Sequence, residues 1–235
     1  MFGTSRLSRN GLHTGARTLV SGAAGLSEDP DFLAQVQSVA GRTDRLARAC
    51  ALRNQAAQLL NVAAGLAEAT GSALDQRVVQ LSLALKLGRT GDDGISDPFL
   101  RLFPHGPAAF TGLTGRPQLT AYEVFAVELA REQLPTRCQA LAGQVLSGIH
   151  DFSKAMVDKE AARQAFAAAV GEAVLAETAL REALAELELI GRLVISPAAM
   201  KAWGAPVRAM GRPRNRTGEA TGEGLKSPGD GATRA

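Results

Sequence analysis

The chain has 235 residues, of which 46% are hydrophobic, only 4% are aromatic and two are cysteines. Alanine and leucine dominate, which favours helices and argues against a compact β-rich enzyme, because such enzymes use more aromatic and β-branched residues. The net charge of +3 is uneven: residues 1–27 carry +3, residues 28–200 carry −4 and residues 201–235 carry +4. Basic ends can contact nucleic acid or an acidic partner, or can be solvated arms.

No apolar stretch approaches eighteen residues, so the sequence predicts no transmembrane span. The N-terminus also lacks a hydrophobic signal core. We therefore expect a cytoplasmic protein, with an organelle-targeted or virion-associated protein as the alternative. Five glycines within residues 1–28 predict a flexible basic N-terminal arm without a stable helix.

Asp29-Pro30-Asp31 predicts the first helix start, since Asp29 can cap a helix and Pro30 suits its first position. The helical spacing of apolar residues predicts a helix over 30–69. Its apolar stripe is expected to include Phe32, Val36, Val39, Leu46, Cys50, Leu52, Leu59, Leu60, Ala63 and Leu66. Thr70-Gly71-Ser72 predicts a break before a second helix over 73–88.

Residues 88–118 are rich in glycine and proline but also carry Phe99, Phe103 and Phe110. Because a disordered linker rarely holds so many aromatic residues, we expect an ordered crossover that packs them on the helices. A capping box at Thr120–Glu123 predicts a helix over 119–134, and Pro135 should kink or divide it from the next helix.

A seven-residue apolar repeat runs from Leu134 to Val194 and predicts a nearly continuous helix over 136–194. One seam position holds mostly large residues and the other mostly alanine, which lets a neighbouring helix approach closely. Lys159 interrupts the seam, where it either fixes the pairing of the helices or extends to solvent. Ser196-Pro197 should end this helix and begin a flexible basic C-terminal tail over 196–235.

The repeat predicts an all-α fold: an elongated antiparallel helical hairpin or bundle with long coiled-coil-like helices and disordered ends. The seam can pack within one chain or between chains, and the two arrangements do not exclude each other. The residues that we expect to mediate self-association are Phe166, Leu180, Leu187, Ile190 and Val194.

Few residues point to catalysis or to a cofactor, and we expect neither a cofactor nor a bound metal. Cys50 and Cys138 lack zinc-site spacing and should be reduced and buried, with a bridge between adjacent helices as the alternative. His150-Asp151 resembles the dipeptide of the metal-dependent HD phosphohydrolases, which implies a metal site completed by another histidine and a distant aspartate. His105 and Asp158 are the available partners in this chain.

These patterns predict a non-enzymatic structural or assembly protein, such as a scaffold, an adaptor or the subunit of a larger complex. Its expected partners are further copies of itself or another helical protein. The first alternative is a nucleic-acid-associated protein, with Arg212, Arg214 and Arg216 as candidate phosphate contacts in nonspecific, salt-sensitive binding. The second alternative is a helical metal-dependent hydrolase.

Overall fold

The computed structural model describes residue 2 and residues 7–87 and 97–210. Within these ranges the protein is all-α, which confirms the predicted fold class. The helices are α1 (Arg9–Gly22), α2 (Pro30–Leu87), α3 (Pro98–Leu102), α4 (Ala108–Thr111), α5 (Arg116–Arg131), α6 (Thr136–Val194), α7 (Pro197–Trp203) and α8 (Ala205–Met210).

The two long helices, α2 and α6, pack against each other in antiparallel orientation along their whole length. Side-chain contacts mark this direction: Gln35 Nε2 donates to the Ala183 carbonyl at 2.9 Å, and Arg77 Nη1 donates to the Gln144 carbonyl at 3.2 Å. At 1.5 Å per residue, the 58 residues of α2 span about 87 Å. The pair therefore forms a long rod, and the remaining helices lie at its two ends.

One end of the rod, here called the terminal module, is formed by α1, α7 and α8 against the start of α2 and the end of α6. Trp203 lies at its centre, where its indole Nε1 donates to the Leu19 carbonyl at 2.8 Å. The rings of Phe2 and Phe32 pack on Trp203 edge-on, with centroids 5.1 Å and 5.6 Å away. Because a buried indole needs a partner for its N–H, this hydrogen bond helps to fix α7 against α1.

The other end, here called the crossover module, is formed by α3, α4 and α5 against the end of α2 and the start of α6. Phe99, Phe103 and Phe125 are buried in its core, and Phe110 packs at its edge. The centroid of the Phe103 ring lies 5.2 Å from that of Phe125 and 6.0 Å from that of Phe110. These aromatic residues thus close this end of the helix pair.

Between the two modules the rod consists of two helices alone. We call this section the stalk: residues 51–70 of α2 and 153–172 of α6. Ala56, Ala67 and Ala155 are the buried side chains of these forty positions, while Leu60 and Phe166 are half-buried. The stalk therefore has a thin, alanine-rich core that joins two separate hydrophobic clusters.

The predicted break at Thr70-Gly71-Ser72 is wrong, because α2 continues through it. Thr70 Oγ1 donates to the Leu66 carbonyl at 2.9 Å, so its side chain follows the helix instead of ending it. Gly71 lies against the Phe152 ring of α6, where a Cβ atom would stand 3.1 Å from the ring. Close packing on α6 thus outweighs the low helix propensity of glycine at this position.

Both chain ends contain more helix than the sequence predicts. Residues 9–22 form α1 in spite of their glycines, since Leu12, Ala16 and Leu19 bury one face in the terminal module. Residues 197–210 form α7 and α8, and Trp203 and Val207 are buried there. Tertiary packing, and not local helix propensity, therefore makes both segments helical.

The other helix boundaries match the predicted ones or differ from them by a few residues. Helix α5 begins at Arg116, so the predicted capping box at Thr120 lies inside the helix. Helix α6 covers Thr136–Val194, the range that the heptad repeat predicts.

Cys50 packs against the terminal-module core and Cys138 lies in the crossover-module core, about 50 Å apart along the rod. Such a separation excludes a bridge between them within one chain.

We expect two glycine-to-alanine substitutions in α2 to have different effects on the free energy of unfolding. Gly41 has open space where a Cβ atom would stand, so Gly41→Ala should raise the free energy of unfolding by about 0.5–1 kcal/mol. Gly71→Ala should gain nothing or destabilise the protein, because its Cβ would crowd the Phe152 ring. Urea unfolding followed by circular dichroism at one protein concentration measures both. An equal gain from the two substitutions would contradict the close approach of α2 and α6 at Gly71.

Candidate interaction surface

The seam residues predicted to mediate self-association face α2 of the same chain. Leu180 and Leu187 are fully buried in the terminal-module core, and Ile190 and Val194 are half-buried against it. Phe166 is half-buried in the stalk. The helix pair of one chain therefore occupies the seam, and a surface for a partner has to be sought elsewhere.

The predicted phosphate contacts Arg212, Arg214 and Arg216 lie outside the described residues. At the other basic end, Arg9 is held inside the protein: its Nε lies 2.5 Å from Glu177 Oε2. Arg181 also contacts Glu177, at 2.9 Å, and donates to the Leu7 carbonyl. Hydrogen bonds from Arg9 and Arg181 hold the pKa of Glu177 below its usual range. This cluster attaches α1 to α6 and commits Arg9 to a structural contact.

The largest departure from the predicted core lies in the stalk. Leu52, Leu59 and Leu66 were expected on the buried stripe of the first helix, but the structure leaves them 58%, 58% and 51% exposed. They are spaced by seven residues, so they form one line along α2 that drifts by only about 20° per step. We call this line the leucine stripe. Val62, which is 69% exposed, borders it.

The Arg45–Glu172 ion pair shows which side of the hairpin carries the leucine stripe. Arg45 stands seven residues before Leu52 on the same line of α2, and its Nη2 lies 3.6 Å from Glu172 Oε2 on α6. Seven residues before Glu172 is Ala165, which is exposed. The stripe therefore shares one side of the rod with the line of α6 that contains Ala165.

Helix α2 lacks charge around Leu59 and Leu66, whereas Leu52 is followed directly by Arg53. Residues 54–67 of α2 include no charged residue, and neither do residues 164–171 of α6. Asp158 and Lys154 of α6 are exposed beside this region. A solvated helix face normally carries charged residues, whereas the centre of a protein interface is depleted of them. Three leucines at heptad spacing, two of them (Leu59 and Leu66) within an uncharged segment, are the sequence signal for this surface.

A second apolar surface lies on the crossover module. It is an open groove of about 730 Å³ lined by apolar residues that include Leu102, Phe110 and Val124, with Arg116 and Glu128 at its edge. Val124 is 57% exposed. The groove is shaped by short helices and loops, unlike the straight face of the stalk.

A polar cluster lies where the crossover module meets the stalk. Gln118 Nε2 donates to Asp75 Oδ1 at 2.9 Å, and the Tyr122 hydroxyl donates to the same oxygen. Burial and the Asp75 carboxylate raise the pKa of Tyr122. The cluster borders a cleft of about 410 Å³ that Lys159 also lines, so this half-buried seam residue reaches a polar environment.

The dipeptide that resembles the HD phosphohydrolases gains no support from this geometry. His150 and Asp151 are both exposed on α6, and His105 is exposed in the loop between α3 and α4. Among the described residues, no group of three or more His, Cys, Asp or Glu side chains is arranged to hold a metal ion. None of the helices in these ranges is long and apolar enough to cross a membrane.

Comparison with known proteins yields no match to a family model, to a curated protein or to a solved structure.

We expect Leu180→Ala to weaken folding and not association. Leu180 is fully buried within one chain, so its truncation should lower the free energy of unfolding by about 2–5 kcal/mol. Thermal unfolding followed by Trp203 fluorescence measures this loss, and light scattering below the transition measures the mass. A normal melting temperature with a reduced mass would place Leu180 between chains.

Tyr122 should resist ionisation in the folded protein. Its raised pKa means that folding favours the neutral phenol, so this contribution to stability is present below about pH 10 and is lost as the pH rises through the folded-state value. As Tyr122 is the only tyrosine, phenolate absorbance reports it alone. We expect no phenolate signal near pH 10 until the protein unfolds. Appearance of the full signal near pH 10 in the folded protein would contradict the Asp75 contact.

The matched variant is Tyr122→Phe, which keeps the ring and removes the hydroxyl. It should lower the free energy of unfolding at neutral pH by about 1–2 kcal/mol, because Asp75 loses a hydrogen-bond donor. It should also remove the part of the alkaline loss of stability that is due to the phenol.

Proposed function

We propose that this protein is a non-enzymatic structural subunit that enters a larger assembly through helix packing. Its rod holds two folded modules at opposite ends of a helix pair about 87 Å long. The observation that carries the proposal is the exposed, uncharged leucine stripe at the middle of this rod.

The stalk leaves part of its hydrophobic stabilisation unrealised. Full burial of a leucine provides about 1.5–3 kcal/mol, and each of these leucines gives up roughly half of it because it is 51–58% exposed. The stalk buries only small side chains in return, as Ala56, Ala67 and Ala155 show. A helix pair that exposes its large residues and buries its small ones gains stability when another helix covers the exposed face.

The rest of the molecule is consistent with a structural role. Each module has its own core of tightly packed aromatic and aliphatic residues, with Trp203 in one and Phe103 in the other. The linkage between them is a straight pair of helices, which suits a spacer. Among the described residues, the leucine stripe and the groove of the crossover module are apolar surfaces that a partner could recognise.

Size-exclusion chromatography with multi-angle light scattering tests the proposal on the full chain. We expect a discrete species whose mass is a multiple of 24.5 kDa and whose ultraviolet absorbance ratio is that of protein alone. A monomer at every concentration would contradict self-association. A nucleic-acid absorbance ratio that falls with added salt would instead support the alternative of nucleic-acid binding through the basic ends.

A further inference from the structure

The leucine stripe is symmetric about its own midpoint. Leu52 and Leu66 lie seven residues on either side of Leu59, and Leu59 stands at the middle of α2, which covers Pro30–Leu87. We infer that a second copy of this chain docks on the stripe in antiparallel orientation, about a two-fold axis that passes beside Leu59. This inference rests on the proposed function and names its partner and its surface.

A two-fold axis at this position pairs each leucine with another leucine. Leu59 meets Leu59 of the second copy, and Leu52 of each copy meets Leu66 of the other. Such an interface is self-complementary, as a two-fold symmetric dimer requires. A parallel arrangement would also pair leucines, but it would set identical modules side by side. The antiparallel arrangement sets each terminal module beside a crossover module and joins the two rods at their centres.

The size of the exposed face meets the requirement for a stable dimer. The stalk is twenty residues, or about 30 Å, long, and two adjacent helices are about 20 Å wide. This face corresponds to about 600 Å² on each copy, or about 1,200 Å² in total, which is the lower bound for specific stable interfaces. The two stalks together would form a four-helix bundle, in which α2 of one copy packs on α2 of the other.

The composition of the face fits close helix packing. Large residues occur on α2, while the neighbouring exposed positions of α6 include Ala161 and Ala165. Small residues at the flank allow the second rod to approach. Lys154 and Asp158 lie on the α6 half of the face, with Asp158 on the same line as Ala165 and beside Leu59, and they would supply the polar contacts of an otherwise apolar interface.

Leu59→Gln tests the surface, with Leu193→Gln as the matched control. Glutamine keeps the helix propensity and removes the apolar contact from both copies at the axis. Leu193 is 79% exposed near the end of α6, outside the stalk. In light scattering and sedimentation equilibrium, we expect Leu59→Gln to raise the dimer dissociation constant at least about 100-fold, and Leu193→Gln to leave it unchanged. Helical circular dichroism and Trp203 fluorescence verify that both variants remain folded.

Cysteine cross-linking tests the orientation in a Cys50→Ser background, since Cys138 is fully buried. Leu59→Cys alone should form a disulfide-linked dimer, because the two positions meet at the axis. Leu52→Cys alone should not, whereas the double substitution Leu52→Cys/Leu66→Cys should. Within one chain, positions 52 and 66 are about 21 Å apart along α2, too far for an internal disulfide.

Each outcome decides a separate point. A wild-type monomer would overturn both the dimer and the self-association that we propose as the function. A dimer that survives Leu59→Gln would overturn the leucine stripe as its surface while leaving self-association in place. Cross-linking by Leu52→Cys alone would overturn the antiparallel orientation.

Discussion

The packing of α2 on α6 is the interaction on which the rest of the structure depends. Neither helix could remain straight and helical over nearly sixty residues in water by propensity alone, and both contain internal glycines. Alanine and glycine along the α6 seam bring the two backbones close, as Gly148 shows where it faces Leu74. The short helices at each end pack on this pair or on one another: α1 packs on α2 and α5 on α6, while α8 packs on α1 and α4 on α5.

The two modules add to this pair in different ways. The terminal module is attached by residues distant in sequence: Trp203 bonds to Leu19, and Arg9 and Arg181 share Glu177. The crossover module is nearly local, since α3, α4 and α5 lie within the segment that connects the two long helices. Acid should weaken both modules, because arginine contacts lower the pKa of Glu177 in the terminal module and that of Glu132, beside Arg101, in the crossover module. As the pH falls through the lowered pKa of Glu177, the stabilisation from its two arginine contacts is lost.

The sequence predicts a helix well where the apolar period is long. It does not predict helices or helix boundaries that depend on tertiary packing. The heptad repeat predicts α6 with the bounds found in the structure, because an apolar stripe that continues over 59 residues requires one continuous helix. Thr70-Gly71-Ser72 was read as a break because local propensity cannot register the Phe152 ring that lies against Gly71. Helix α1 was missed for the same reason, since its glycines are compatible with a helix once Leu12 and Leu19 are buried. The sequence also does not show whether an apolar position is buried or exposed. Helical spacing predicts that the leucine stripe lies on an apolar face, but only the position of α6 shows that this face is uncovered.

The exposed leucines are better explained by function than by folding. A leucine at the same positions contributes little to the single chain, so a charged or polar residue would be tolerated there and would improve solubility. The chain instead keeps leucine at three successive heptad positions, and the fourteen residues 54–67 around Leu59 and Leu66 carry no charge. Elsewhere on the rod, exposed apolar residues such as Leu189 and Leu193 have charged neighbours in Glu188 and Arg192. The contrast between residues 54–67 of α2 and these exposed positions of α6 is what a covered face predicts, and it favours the centre of α2 as the surface for the assembly that we propose.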